Sequence, residues 1–566
     1  MTKRRLVAAV FATALTTLAF GAGPASAGSG GLGPLRPTVG TAVAFDVSPA
    51  LRDMPMLAPG SIQQTWKGSV PQDRSLVGRV ASAGHQRDGA LQTEMSPSAM
   101  PSPLFTFEGP RNEDNFTLLG RRVNPPDPVG DVGQHNYVAM VNLTFAIYSK
   151  SGALQYGPAA TGTLWQGFSV PDCAGASGDG IVNYDETSNR WILSQFTSQG
   201  PDEFWNCVAV STTDDPLGSY YRYAFSTGAF FPDYPKYGIM GDGLYITTRE
   251  FGPTTEYQIG IYAINRHQLV EGDPNPTVVS FYLVEGVDPL YLLGDGILPA
   301  DQDGKRMPPP HSPEYLVGTQ DDDYVYGAPF DAINFYKADV DFAHPDNSTF
   351  DHQTIPVAEF DSNFPCGPDA RDCLPQPGIT DPAQYLDILS YRQRPTYRLQ
   401  YRNFKTHESL VTNQSVEALP GVAGVRWYEI RNPNGDPPAL YQQGTYAPGD
   451  GVHRWMGSVA QDKFGNIAAG YSVVNGTNVY PGIRYAGRKP TDPLGQLSQG
   501  EAVLQNGTGV QTTTNSRWGD YTSLNVDPRD DCTFYYINEY YRESGSPADT
   551  RPWRTRIGTF KFPGCS

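Results

Sequence analysis

The sequence predicts an all-β protein, a β-propeller of six or seven blades behind a flexible N-terminal leader. Three observations carry that reading. The 566 residues include 60 Gly, 50 Pro and 33 Tyr with only 18% charged residues, the profile of short strands joined by turns. Alternating apolar runs recur along the chain, split by Asp, Asn and Gly. Convincing amphipathic helical windows are almost absent; 381–392 comes closest, and its Tyr, Ile and following strand signal weaken it.

The N-terminus reads as an export signal over 1–27. Lys3, Arg4 and Arg5 precede the apolar run Leu6–Phe20, and Ala25-Ser26-Ala27 offers a small-residue cleavage site. That run is too short to span a bilayer, and no later segment approaches ~20 consecutive apolar residues. Residues 28–100 are rich in Gly, Pro, Ser and Ala with no sustained period. They read as a disordered or loosely packed leader.

From 101 to 566 the chain falls into comparable units. Runs such as 137–152, 180–196 with 207–225, 237–251 with 259–265, and 331–342 alternate apolar and polar residues. The runs at 396–404, 424–430, 453–472 and 522–541 do the same. Asp462-Lys463-Phe464-Gly465-Asn466 and the Asp-rich turn at 527–531 are hairpin turns, where Asp, Asn and Gly supply the needed backbone geometry. Six or seven such units in about 460 residues give a period of roughly 65, long for a blade but feasible with large loops. A ring also removes the exposed sheet edges that a pair of β-sandwiches, the rival fold, would keep. The terminal run 556–562 is placed to pair with an early strand near 104–109 and close the ring.

Six cysteines in an exported chain read as disulfides. Fifteen pairings exist, and the sequentially local set needs the least rearrangement: Cys173–Cys207, Cys366–Cys373 and Cys532–Cys565. No CxxC pair or Cys/His cluster suggests zinc, so no metal is assigned. The oxygen-rich stretches Asp301-Gln302-Asp303-Gly304 and Asp321-Asp322-Asp323 leave calcium open without matching a full ligand loop. No other cofactor is expected.

The net charge is −18. Losing three signal-peptide cations leaves 38 basic against 59 acidic residues, or −21. Such a surface repels phosphate backbones and anionic lipid, so neither nucleic acid nor membrane is an expected partner. An extracellular polysaccharide or other glycan is, with the protein a monomer.

Four of the eight tryptophans directly follow an arginine: 190–191, 426–427, 454–455 and 517–518. In a strand the two side chains diverge, so each Trp can wedge between sheets while its Arg points elsewhere. On a structural reading each Arg pairs with an Asp of a neighbouring unit, stacks on Tyr or caps loose carbonyls. Functionally, Arg426, Arg454 and Arg517 would converge at one mouth and clamp an acidic group.

The segments 127–133, 401–413, 424–430, 453–462, 480–488 and 517–528 together resemble a large group of exported, mostly uncharacterised bacterial β-propeller proteins. The resemblance spans roughly 120–566 and implies the propeller fold but no established chemistry. Likeness to sialidases is architectural only, because the Ser-x-Asp-x-Gly-x-Thr-Trp box is missing.

The chemistry left open is carboxylate chemistry. There is no G-x-S-x-G elbow, no HExxH and no phosphate loop. Asp127 and Asp131 bracket a turn, Asp233 precedes Tyr234-Pro235-Lys236, and Asp520 stands beside Tyr521. Glycoside cleavage needs two carboxyls, or a Tyr nucleophile where the substrate is anionic. Asp520 and Tyr521 are therefore the candidate catalytic pair. Arg426, Arg454, Arg517 and His407 are the candidate substrate-binding residues. The expected function is action on extracellular polysaccharide, as a glycoside hydrolase or a lyase for an acidic glycan. The alternative is a noncatalytic propeller that binds glycan or protein, and the sequence does not separate the two.

Overall fold

In the computed structural model, described residues are 32, 35–60 and 87–565, less 176, 198–202, 253–255, 285, 294–295, 323–327, 367–371, 389–392 and 436. The export signal expected at 1–27 lies outside them. Seven four-stranded antiparallel meanders follow one another along the chain, here numbered I to VII. Their first strands are Val129–Val132, Val182–Asp185, Phe231–Met240, Leu298–Gln302, Thr396–Asn403, His453–Gln461 and Ser523–Val526.

Each first strand lies against the first strand of the next meander, and that of VII lies against that of I, so the cycle closes. Between IV and V the contact is a parallel ladder, Ala300 facing Leu399. These strands are buried along most of their length.

The terminal pairing expected from sequence is present. Meander VII has only three strands from the C-terminal segment, and Phe105–Arg111 supplies the fourth, with Phe107 facing Ile557. Joining chain ends in one sheet leaves no first or last meander unpaired. All three local disulfides are formed, and Cys532–Cys565 closes a loop inside this same meander.

The leader departs from expectation. Thr38–Gly40 adds an outer strand to meander III, Ala44–Val47 to meander II, and Leu91–Gln92 to meander V. Leu51 is fully buried. Phe45 packs 5.1 Å from Tyr223, and Asp46 pairs with Arg222 at 2.6 Å. Weak apolar periodicity misleads here because an outer strand pairs through its backbone on one edge and needs few apolar anchors. Residues 61–86 lie outside the described set.

Tryptophans do wedge between sheets. Trp455 of meander VI and Trp518, just before meander VII, lie 5.1 Å apart, both buried, and Trp518 donates to Ser472 at 3.0 Å. Among the described residues no helix is long and apolar enough to cross a membrane.

Candidate functional site

Acidic residues stand where the chain enters several first strands. Asp127 precedes that of meander I, Asp179 that of II and Asp520 that of VII, while Asp233 opens that of III. Because the ring brings equivalent strand ends to one side, these carboxyls converge on one mouth.

Their contacts interlock. Asp127 Oδ1 accepts the Asp520 backbone N–H at 2.7 Å, and its Oδ2 accepts from Asn142 at 2.6 Å. Asn142 Oδ1 in turn accepts the Asp179 backbone N–H at 2.9 Å. The Tyr521 hydroxyl lies 3.1 Å from both Asp179 Oδ2 and the Pro235 carbonyl oxygen. Asp127, Asp179 and Tyr234 have φ of 46°, 43° and 54°. Left-handed backbone costs energy in a non-glycine residue, least for Asp, and is held only where the surroundings over-determine it.

The environments of these acids differ. Burial, and then the Asp520 charge, pushes the Asp127 carboxyl up to about 7. Burial, reinforced by Asp127, Asp233 and Asp520, pushes Asp179 well above the ordinary aspartate value. Asp520 instead pairs with Arg517 at 2.8 Å, and Asp233 faces Arg249 at 3.7 Å. The cluster thus sets two carboxyls raised by burial beside two that face arginines, unlike environments of the kind general acid–base work uses.

Beneath them sits Lys236, fully buried. Its ammonium lies 3.0 Å from the Tyr234 ring centroid and 3.8 Å from that of Tyr521. Burial, then Arg394, pushes it well below the ordinary lysine value. Arg394 covers the Tyr234 ring at 3.9 Å.

Of the residues singled out from sequence, Asp520, Tyr521 and Arg517 share this mouth. Tyr521 is buried, and burial followed by the Asp179 charge pushes its phenol well above the ordinary value, which is poor for a nucleophile. Arg426 and Arg454 do not join them. Arg426 is held by Asp88 at 3.0 Å, the carbonyls of Ala358 and Glu359, and Gln443. Arg454 is clamped by Asp450 at 2.8 Å and Glu501 at 2.7 Å. Both sit in buried ion pairs within the sheets, so the shared three-arginine pocket does not form. His407 lies beyond the far end of meander V's first strand, stacked on Phe404 at 5.0 Å, and is no part of this mouth.

Sequence reasoning passed over Asp179, Arg249 and Arg394. A signal for Asp179 was present: like Asp127 and Asp520, it stands two or three residues before a first strand. Asp321, Asp322 and Asp331 bring carboxylate oxygens close enough to share a cation. Asp321 Oδ2 there accepts from Ser362, and Asp331 accepts the backbone N–H of Asp322 and Phe360. Asp323 lies outside the described residues.

The closed cycle of first strands, with an acidic cluster at one set of their ends, defines the class: a nearly all-β protein of propeller-like sheets, two of which join through the parallel ladder between meanders IV and V. No family model matches the chain, and no curated protein does. Among solved structures it is similar to an α-L-arabinanase of Penicillium chrysogenum complexed with arabinobiose, at 11% identity over 60% of this chain and 98% of that one, TM-score 0.30. It is also similar to an endo-arabinase from Bacteroides thetaiotaomicron, at 11% over 56% and 94%, TM-score 0.26. An exo-β-1,3-galactanase from Phanerochaete chrysosporium aligns at 9% over 68% and 80%, TM-score 0.26. Likeness this distant assigns no residue a role.

Proposed function

We propose that this protein is a secreted, monomeric seven-bladed propeller that cleaves an extracellular polysaccharide at the carboxylate mouth, by glycoside hydrolysis. Each meander is one blade, a count supported by the closed cycle of first strands. Three disulfides and the absence of a membrane-crossing helix among the described residues are compatible with an extracellular setting.

The observation that carries the proposal is the convergence of Asp127, Asp179, Asp233 and Asp520 in unlike environments. Asp179, whose carboxyl burial and three neighbouring carboxyls push well above its ordinary value, serves as the acid that protonates the departing glycosidic oxygen. Asp520, paired with Arg517 at 2.8 Å, serves as base or nucleophile on the opposite face of the sugar. Tyr521 positions Asp179 through its hydroxyl, in place of the attacking role expected from sequence. Arg517 lends the site a preference for acidic sugars, since its side chain is a quarter exposed.

The test is reducing-end release from neutral and uronic-acid polysaccharides, with absorbance at 235 nm monitored in parallel. Reducing ends without new absorbance support hydrolysis; absorbance indicates a lyase. Retention of a polysaccharide with neither signal would leave the noncatalytic binding propeller as the correct reading.

A further inference from the structure

The first strands have a second set of ends, and the ring's chemistry differs there. A cavity of about 520 Å³ is lined by Asp303, Gly304, Lys305, Arg306, Arg402, Asn403, Phe404, Lys463 and Asp531. All follow or end first strands of meanders IV to VII, whereas Arg394 and Asp520 precede those strands. In a chain of net charge −18, this lining carries four cations and two carboxylates.

Arg402 is its distinctive member. The side chain is only 4% exposed, and one guanidinium nitrogen pairs with Asp531 at 2.7 Å. Its Nε and Nη2 are buried and have no hydrogen-bond partner among the described residues. Buried donors left unmade are costly, and a half-used guanidinium fork matches the paired oxygens of an oxyanion. Gly304 lets the loop come this close: at φ 84°, an added Cβ would lie 2.8 Å from Arg402 Nη1. The loop is tied back by the Gly304 N–H donating to Glu186 at 3.0 Å. Burial, and then the Asp303 charge, pushes the Glu186 carboxyl well above its ordinary value. Asp303 is committed to Arg398, and Lys463 donates to the Asp530 carbonyl at 3.1 Å.

The volume exceeds what a bare oxyanion fills and falls in the range of small-molecule sites. Phe404, stacked on His407, lines the cavity together with the exposed Lys305 and Arg306. We propose that this end of the ring holds a second ligand site, anchored by Arg402, for an oxyanion such as phosphate carried on a sugar-sized molecule. It is separate from the carboxylate mouth and does not depend on the activity proposed there.

The test is calorimetric titration of the full chain at low salt with glucose 6-phosphate, inorganic phosphate and glucose. Submillimolar binding of glucose 6-phosphate is expected, with no heat from glucose. Arg402→Gln should weaken it at least tenfold. The Lys305→Ala/Arg306→Ala double variant alters exposed residues, keeps the fold, and should weaken it about fivefold or more. Asp520→Asn should leave it unchanged. Inorganic phosphate binding as tightly as the sugar phosphate would assign the site to the free ion, and weaker binding to the sugar-borne group; either supports the site. No phosphate binding below 10 mM, binding unaffected by the double variant, or loss in Asp520→Asn would overturn it.

Discussion

The Asp520 backbone N–H donates to Asp127 Oδ1 at 2.7 Å, joining the entrances of the last and first meanders across 393 residues of chain. The same carboxylate accepts from Asn142, whose other amide atom accepts from Asp179. The mouth and the closure of the ring are therefore one hydrogen-bonded object, and substitutions there separate into those that remove chemistry and those that loosen the seam.

Asp179→Asn and Asp520→Asn keep side-chain shape and remove the proposed acid and the proposed base or nucleophile. Each should lower turnover by roughly 10²–10⁴-fold, while the melting temperature stays near that of the parent. Turnover within threefold of the parent in both variants would remove these two residues from the reaction.

Asp127 makes stability depend on pH. Its carboxyl is pushed from the ordinary aspartate value of 3.8 to about 7 in the folded protein. Below 3.8 both folded and unfolded forms are protonated and the contribution is fully present. Between 3.8 and about 7 the unfolded chain ionises first, so this contribution falls as pH rises and is lost above about 7. The slope from this residue approaches about 1.4 kcal/mol per pH unit within that window. Urea unfolding at several pH values should show a shallower decline in Asp127→Asn. An unchanged slope would mean that Asp127 ionises normally.

Arg454 and Arg517 share a sequence context but should respond differently. Arg454→Met leaves Asp450 and Glu501 without their shared buried cation, so unfolding free energy should drop by about 3 kcal/mol or more. Arg484 also reaches Glu501, at 2.8 Å, and keeps the loss from being larger. Arg517 also faces the buried Asp387 at 3.3 Å, so Arg517→Ala should lower turnover on acidic polysaccharide and cost some stability, less than Arg454→Met because its side chain is a quarter exposed against none for Arg454. The reverse pattern, in chemical denaturation and kinetics together, would place the functional arginine in meander VI.

The leader is expected to be stabilising. Arg426 and Asp88 form a fully buried pair, so Asp88→Ala should cost about 3–5 kcal/mol by stranding the guanidinium. A loss under 1 kcal/mol in chemical denaturation would show that the carbonyls around Arg426 hold it unaided.

The Cys532–Cys565 loop of 33 residues should contribute about 4 kcal/mol in the chain-entropy model. The paired Ala variant should lose stability on that order, under oxidising conditions only. Equal stability of the parent and the variant in denaturant would contradict it.

Alternating runs, Asp/Gly turns and near-even spacing determined the all-β fold, and sequential proximity sufficed for the disulfides. The match of 556–562 to the early strand was legible because both runs alternate and one fourth strand was lacking. Asp520, Tyr521 and Arg517 were visible because they crowd one short stretch. Other features were decided only by tertiary structure. Arg426, Arg454 and Arg517 look alike in sequence, yet the first two are consumed by Asp88, Asp450 and Glu501. Asp88 lies 338 residues from Arg426 and Glu501 lies 47 from Arg454, separations that no local pattern encodes. Asp179 became a candidate only when the ring set it beside Tyr521. The second cavity emerged when the ends of three first strands brought four cations together and a fourth added Asp531. Strand formation is governed by near neighbours and the period of two, which the sequence states directly. Which charge meets which depends on the closure of the whole ring, where each long-range pairing is fixed by all the others.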